Sequence, residues 1–107
     1  MAVADLPPGT MARVEVAGQP VCLANVEGTV LGVHDTCTHG MASMSAGWLE
    51  EDVARVTCPR HGAVFSLTDG AALTPPATSP LPVFRVEVVD GRVLVDPVPD
   101  ITHPFDA

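Results

Sequence analysis

An all-β domain is what this sequence predicts, and three observations predict it. Short Val-rich runs alternate with polar residues, as strands half-buried on one face require. Eleven prolines and nine glycines divide those runs into lengths typical of strands. No stretch carries a helical period: "MASMSAGWLEED" (41–52) has some helical propensity, but Gly47 interrupts it. With 107 residues and 47% apolar composition, one domain spanning 1–107 is expected, its folded core at about 11–96.

In chain order, "MARVEVA" (11–17) alternates and reaches a turn at Gly18-Gln19. "PVCLANV" (20–26) runs to Glu27-Gly28, and "TVLGVH" (29–34) follows, so the first third reads as a three-stranded meander. "DVARVTC" (52–58) and "AVFSL" (63–67) are expected strands, the second closed by Thr68-Asp69-Gly70. "LTPPATSPLP" (73–82) cannot join a ladder, because its prolines have no N–H to donate, and is expected as a surface loop. "VFRVEVV" and "RVLV" flank Asp90-Gly91, a pair suited to the two positive-φ positions of a type I′ hairpin turn. The proline-punctuated tail, 97–107, is expected to be irregular.

Thirteen acidic residues against five arginines and no lysine give a net charge of −8. Nucleic acid is a poor partner for such a surface, since phosphate binding rests on Lys and Arg, and an anionic membrane is disfavoured for the same reason. Docking on a basic protein patch fits the charge, although acidity also serves solubility alone. No run approaches the roughly 20 apolar residues of a membrane span. The first residues carry neither a basic region nor an apolar segment of an export signal. Three cysteines do not suggest a secreted disulfide scaffold. A cytoplasmic, monomeric protein is expected.

Two short clusters carry the chemistry. Cys37 and His39 are two residues apart in "DTCTHG", and Cys58 and His61 three apart in "CPRHG". In extended chain, residues i and i+2 point the same way, while the Pro and Gly of the second cluster suit a tight turn. Two loops can therefore aim two thiols and two imidazoles at one metal site. Any one of these residues alone reads as a buried thiol or a surface imidazole. Two Cys–His pairs among three cysteines and four histidines point to metal. A structural Cys₂His₂ zinc is the first rival, but zinc fingers usually present both cysteines before both histidines.

One Cys and one His from each loop resembles the Rieske proteins, in which a 2Fe–2S cluster has two Cys on one iron and two His on the other. The resemblance rests on "CTHG" with "CPRHG", then "F…TDG", a proline-rich loop and a closing hairpin, over about residues 11 to 96. It implies a Rieske-like antiparallel β-sandwich or barrel with a cluster-binding subdomain of two loops. It further implies Cys37 and Cys58 on the inner iron and His39 and His61 on the outer iron. The interval between the two clusters is a residue or two longer than the family pattern, which "WLEEDVARV" absorbs in a longer hairpin.

High-potential members of the family add a second Cys to each cluster and place Ser and Tyr hydroxyls after the second. Here neither cluster has a second Cys, and Ala63 and Phe65 stand at the hydroxyl positions. Hydrogen bonds to sulfur stabilise the reduced state, so their loss implies the low end of the roughly −150 to +300 mV Rieske range. The pattern looks like the ferredoxins of bacterial ring-hydroxylating systems. Those take electrons from an NAD(P)H-dependent flavin reductase and deliver them to a terminal oxygenase. The chain has no room for an oxygenase's own catalytic domain, so a carrier rather than an enzyme is implied. A nitrite reductase small subunit and a zinc-stabilised binding module are the alternatives.

Other residues have plainer readings. Cys22 is expected in the core, and His34 and His103 at the surface. Met41 and Met44 either shield the metal site or pack the core. Trp48 is expected as an apolar anchor beneath the first loop. Pro75, Pro76 and Pro80 resemble the family's cluster-covering loop, and Arg60 is either a surface charge or a docking contact.

Overall fold

Period-two patterning and left-handed turn residues build the fold described by the computed structural model. It describes residues 1–60, 62–75, 77 and 79–106; His61, Pro76, Thr78 and Ala107 lie outside the described residues. Strands β1 (Met11–Val16), β2 (Gln19–Val26) and β3 (Thr29–His34) form the expected meander. The turn between β1 and β2 is Ala17-Gly18, one residue earlier than expected, and that between β2 and β3 is Glu27-Gly28. Each pair has positive φ at both positions, 51° and 79° in the first and 51° and 97° in the second, matching the twist of the flanking strands.

β2 is buried on both faces, and its alternation sends each face to a different core. Cys22 and Ala24 join Val33, Met44, Val56, Phe65, Leu67 and Leu81 beneath the Cys–His loops. Val21 and Leu23 join Leu6, Val30, Phe84 and Val93 in the second cluster. A one-residue slip would exchange the two sets, so register is fixed by both faces at once.

β4 (Trp48–Glu50), β5 (Arg55–Thr57) and β6 (Val64–Ser66) form a second antiparallel sheet. The expected strand over 52–58 is shorter than predicted. Glu51–Val53 form a 3₁₀ turn, and Ala54 at φ 51° redirects the chain into β5. Trp48 is no anchor: it is 60% exposed, because the pleat turns Trp48 and Glu50 outward and Leu49 inward.

The expected strand "VFRVEVV" is two strands in different sheets. β7 (Val83–Phe84) pairs with β3 across Val33 and Gly32, whereas β8 (Val86–Val89) pairs with β9 (Arg92–Val95). Arg85 is the exposed joint between them, its carbonyl accepting the Asp96 N–H. The β8–β9 turn is the expected Asp90-Gly91, at φ 50° and 74°. The tail is more ordered than expected. Asp100 accepts the Val83 N–H on its carboxylate and returns its own N–H to the Val83 carbonyl. Beyond it lies a 3₁₀ turn, Pro104–Asp106. All the named strands pair antiparallel, and no described helix is long and apolar enough to cross a membrane.

Candidate metal centre

The first cluster lies between β3 and β4, and the second between β5 and β6. Both loops close with the same bond at the same offset: Cys37 N–H donates to the Ala42 carbonyl at 3.0 Å, and Cys58 N–H to the Ala63 carbonyl at 2.8 Å. Gly62, at φ +73°, completes the second turn, where its N–H also reaches the Cys58 carbonyl. Equivalent closures give the two loops a pseudo-symmetric relation that the unequal Cys–His spacings conceal.

Cys37 and Cys58 are each 1% exposed and belong to one packed cluster with Met44, Ala63 and Phe65. Their thiols lie within interaction range. Burial pushes the Cys37 thiol above its ordinary range and the neighbouring Cys58 thiol adds to this, while backbone N–H groups of His39 and Gly40 oppose it. Those N–H groups point at sulfur, the arrangement that stabilises a thiolate. His39 is exposed on the same loop, so buried sulfur and surface imidazole are separated by two residues. The donor set fits a centre with soft ligands inside and nitrogen ligands at the rim. The fourth predicted ligand, His61, lies outside the described residues.

The proline-rich segment closes a third side. Thr38 Oγ1 donates to the Ser79 carbonyl at 2.6 Å, and Ala77 is buried in the cluster beneath the loops. Pro75 and Pro80 are exposed, and Pro76 lies outside the described residues. Met44 is fully buried under the site, whereas Met41 is 76% exposed beside it, and Arg60 is exposed.

His34 and His103 are not surface residues, contrary to expectation: they are 4% and 2% exposed. Their rings pack with centroids 4.3 Å apart. Thr36 N–H donates to His34 Nδ1, and His103 Nε2 lies 2.8 Å from the Thr36 carbonyl. Since His103 Nδ1 accepts the Phe105 N–H, its Nε2 is the protonated nitrogen and donates to Thr36. The tail is thus fastened to the residue preceding Cys37, a contact across 67 positions that no local motif announces. Asp35 is the other residue that sequence patterning left unmarked, although it stands inside "DTCTHG". It is 2% exposed and bonded to Ser43 and Ser45, on the far side of the first loop.

A family model of the Rieske [2Fe-2S] domain matches residues 1–85. The chain belongs to that family. As in other Rieske domains, its cofactor is a 2Fe–2S cluster held by Cys and His ligands. The 3-phenylpropionate/cinnamic acid dioxygenase ferredoxin subunit of Escherichia coli (strain K12) is 45% identical over 94 residues, covering 88% of this chain and 87% of that one. A ferredoxin chain in a complex of reduced oxygenase and oxidized ferredoxin of carbazole 1,9a-dioxygenase superposes with TM-score 0.87 at 38% identity. The match covers 94% of this chain and 93% of that chain. A Mycobacterium tuberculosis structure provisionally named as an NADH-dependent nitrite reductase small subunit superposes with TM-score 0.77 at 30% identity, covering 88% of each chain.

Proposed function

We propose that this Rieske protein is a low-potential electron carrier that receives single electrons from an NAD(P)H-dependent flavin reductase. It passes them to a ring-hydroxylating terminal oxygenase in the cytoplasm. The likeness to dioxygenase ferredoxin subunits over nearly the whole chain carries this reading. The chain acts as a component of a multicomponent oxygenase and not as the enzyme itself.

In this reading Cys37 and Cys58 hold the inner iron, and His39 and His61 the outer iron; the His61 assignment rests on the sequence. When bound, the cluster accepts and releases one electron at a time. The chain's own residues do the rest. Cys37 and Cys58 hold their sulfurs away from water, and the N–H groups of His39 and Gly40 offset the charge on the Cys37 sulfur. His39 occupies the exposed rim, where a partner approaches most nearly. Buried Phe65 and Ala63 offer no hydroxyl to sulfur, which favours a low potential.

Absorption and EPR spectra of anaerobically prepared protein test the assignment. The expected result is a Rieske spectrum that is lost on replacing Cys37 or Cys58 by Ser, or His39 or His61 by Ala. Survival of the spectrum in any of these variants excludes that residue as a ligand. The nitrite reductase reading draws on a structural likeness of lower TM-score, 0.77 against 0.87. Constitutive co-purification with a sirohaem protein would favour it. A colourless protein holding zinc and no iron would favour the zinc module.

A further inference from the structure

We infer that Asp35 is a positioning residue that closes the neck of the first ligand loop, and that its buried carboxylate disfavours reduction of the cluster. The inference rests on the proposed assignment of Cys37 and His39 as ligands.

Every polar atom of Asp35 is engaged. Its N–H donates to the Pro20 carbonyl at 2.9 Å, and its own carbonyl accepts the Met44 N–H at 2.6 Å. Oδ1 accepts the Ser45 N–H at 2.8 Å, and Oδ2 accepts the Ser43 hydroxyl at 2.5 Å. The Ser43 and Ser45 hydroxyl oxygens lie 3.0 Å apart. Thr36 and Ser43 form an isolated bridge, and inside it Cys37 N–H closes on Ala42. One residue thus ties the chain entering the loop, two positions before Cys37, to the chain leaving it at 43–45. Without that tie, the stem of the six residues carrying two proposed ligands would be closed by the Thr36–Ser43 bridge alone, with Thr38–Ser79 and His103–Thr36 holding the loop from outside.

The charge is harder to explain by fastening alone. Burying an ionised carboxylate is costly, and a neutral amide of the same shape would keep the Ser45 bond. The nearest described cation is Arg13, whose Nε lies 3.8 Å from Oδ2. Its side chain is 53% exposed and also pairs with Glu15 at 3.0 Å, so it compensates the buried charge only in part. Asp35 also lies near enough to the buried Cys22 thiol to add to the upward push on it. A negative charge held at the stem of the loop opposes the arrival of an electron at a centre whose first proposed ligand is two residues along the chain.

Asp35→Asn, Asp35→Ala and Arg13→Gln separate the two roles. Midpoint potentials, EPR g-values and the rate of cluster loss are measured on each loaded protein at low ionic strength. Asp35→Asn is expected to keep the g-values and shift the midpoint positive. Arg13→Gln, which exposes the charge further, is expected to shift it negative. Asp35→Ala is expected to broaden the EPR signal and lose its cluster several-fold faster. A midpoint unmoved by Asp35→Asn overturns the electrostatic role; if that variant fails to load, an unmoved midpoint in Arg13→Gln does so. Unchanged line width and cluster retention in Asp35→Ala overturn the positioning role. If the parent protein itself shows no Rieske spectrum, the failure lies with the ligand assignment.

Discussion

The three cysteines of this small protein, none in a disulfide, differ by what surrounds each sulfur. Cys37 and Cys58 lie within interaction range of each other, and the His39 and Gly40 N–H groups turn toward the Cys37 sulfur. Among the described residues Cys22 has only Met11 Sδ within hydrogen-bond reach of its thiol, at 3.8 Å, and it is fully buried. Burial first, and Asp35 second, push its thiol up to about 12 from 9.0. In the unfolded chain this thiol ionises near pH 9, while in the fold it keeps its proton until about pH 12. Unfolding therefore releases a proton in that window, and the contribution to stability, full below pH 9, falls as pH rises. Thermal denaturation at pH 8 and at pH 10 should show a smaller loss of stability for Cys22→Ala than for the parent. Equal losses would mean that the Cys22 environment is not as closed as described. That Cys22 belongs to the core was legible from its place in "PVCLANV". The burial of His34 and His103 was not, because each is covered by the other and by a tail remote in sequence.

Among the elements, the meander was legible because each of its two turns carries a glycine, Gly18 and Gly28, at positive φ. The break at Arg85 was not, since "VFRVEVV" alternates without interruption and only the sheet each half joins divides it. The same holds for Asp52 and Val53, which open the strand-like run "DVARVTC" yet belong to a 3₁₀ turn. Gly47 looked like a helix breaker; the fold gives it a sharper reason. A Cβ there would sit 1.9 Å from the Thr57 carbonyl oxygen, in the backbone of the strand leading to Cys58. Gly47→Ala must therefore separate β4 from β5, and urea denaturation should show a loss of about 2–4 kcal/mol. Gly40→Ala is the control: among the described residues nothing lies within 4 Å of its added methyl, and a change of no more than about 0.5 kcal/mol is expected. A small effect at Gly47 would mean that β4 and β5 part easily.

At the scale of the whole molecule, net charge is the property a partner meets first. With thirteen acidic residues against five arginines, encounter with a basic docking face is accelerated at long range. In the proposed role, raising ionic strength from about 20 to about 200 mM should slow electron transfer from a flavin reductase partner roughly tenfold or more, because the Debye length falls below the approach distance. Stopped-flow reduction measures this, and a rate indifferent to salt would assign the acidity to solubility alone.

The sequence by itself determined which residue types meet the metal, the β character of the chain and the turn positions, because these depend on spacing along a few residues. The tertiary structure alone decided that Asp35 and His103 fasten the first Cys–His loop, that one apparent strand serves two sheets, and that Trp48 faces solvent. Each of those depends on which distant surface covers a residue, and burial is a property of the packed chain rather than of its local order.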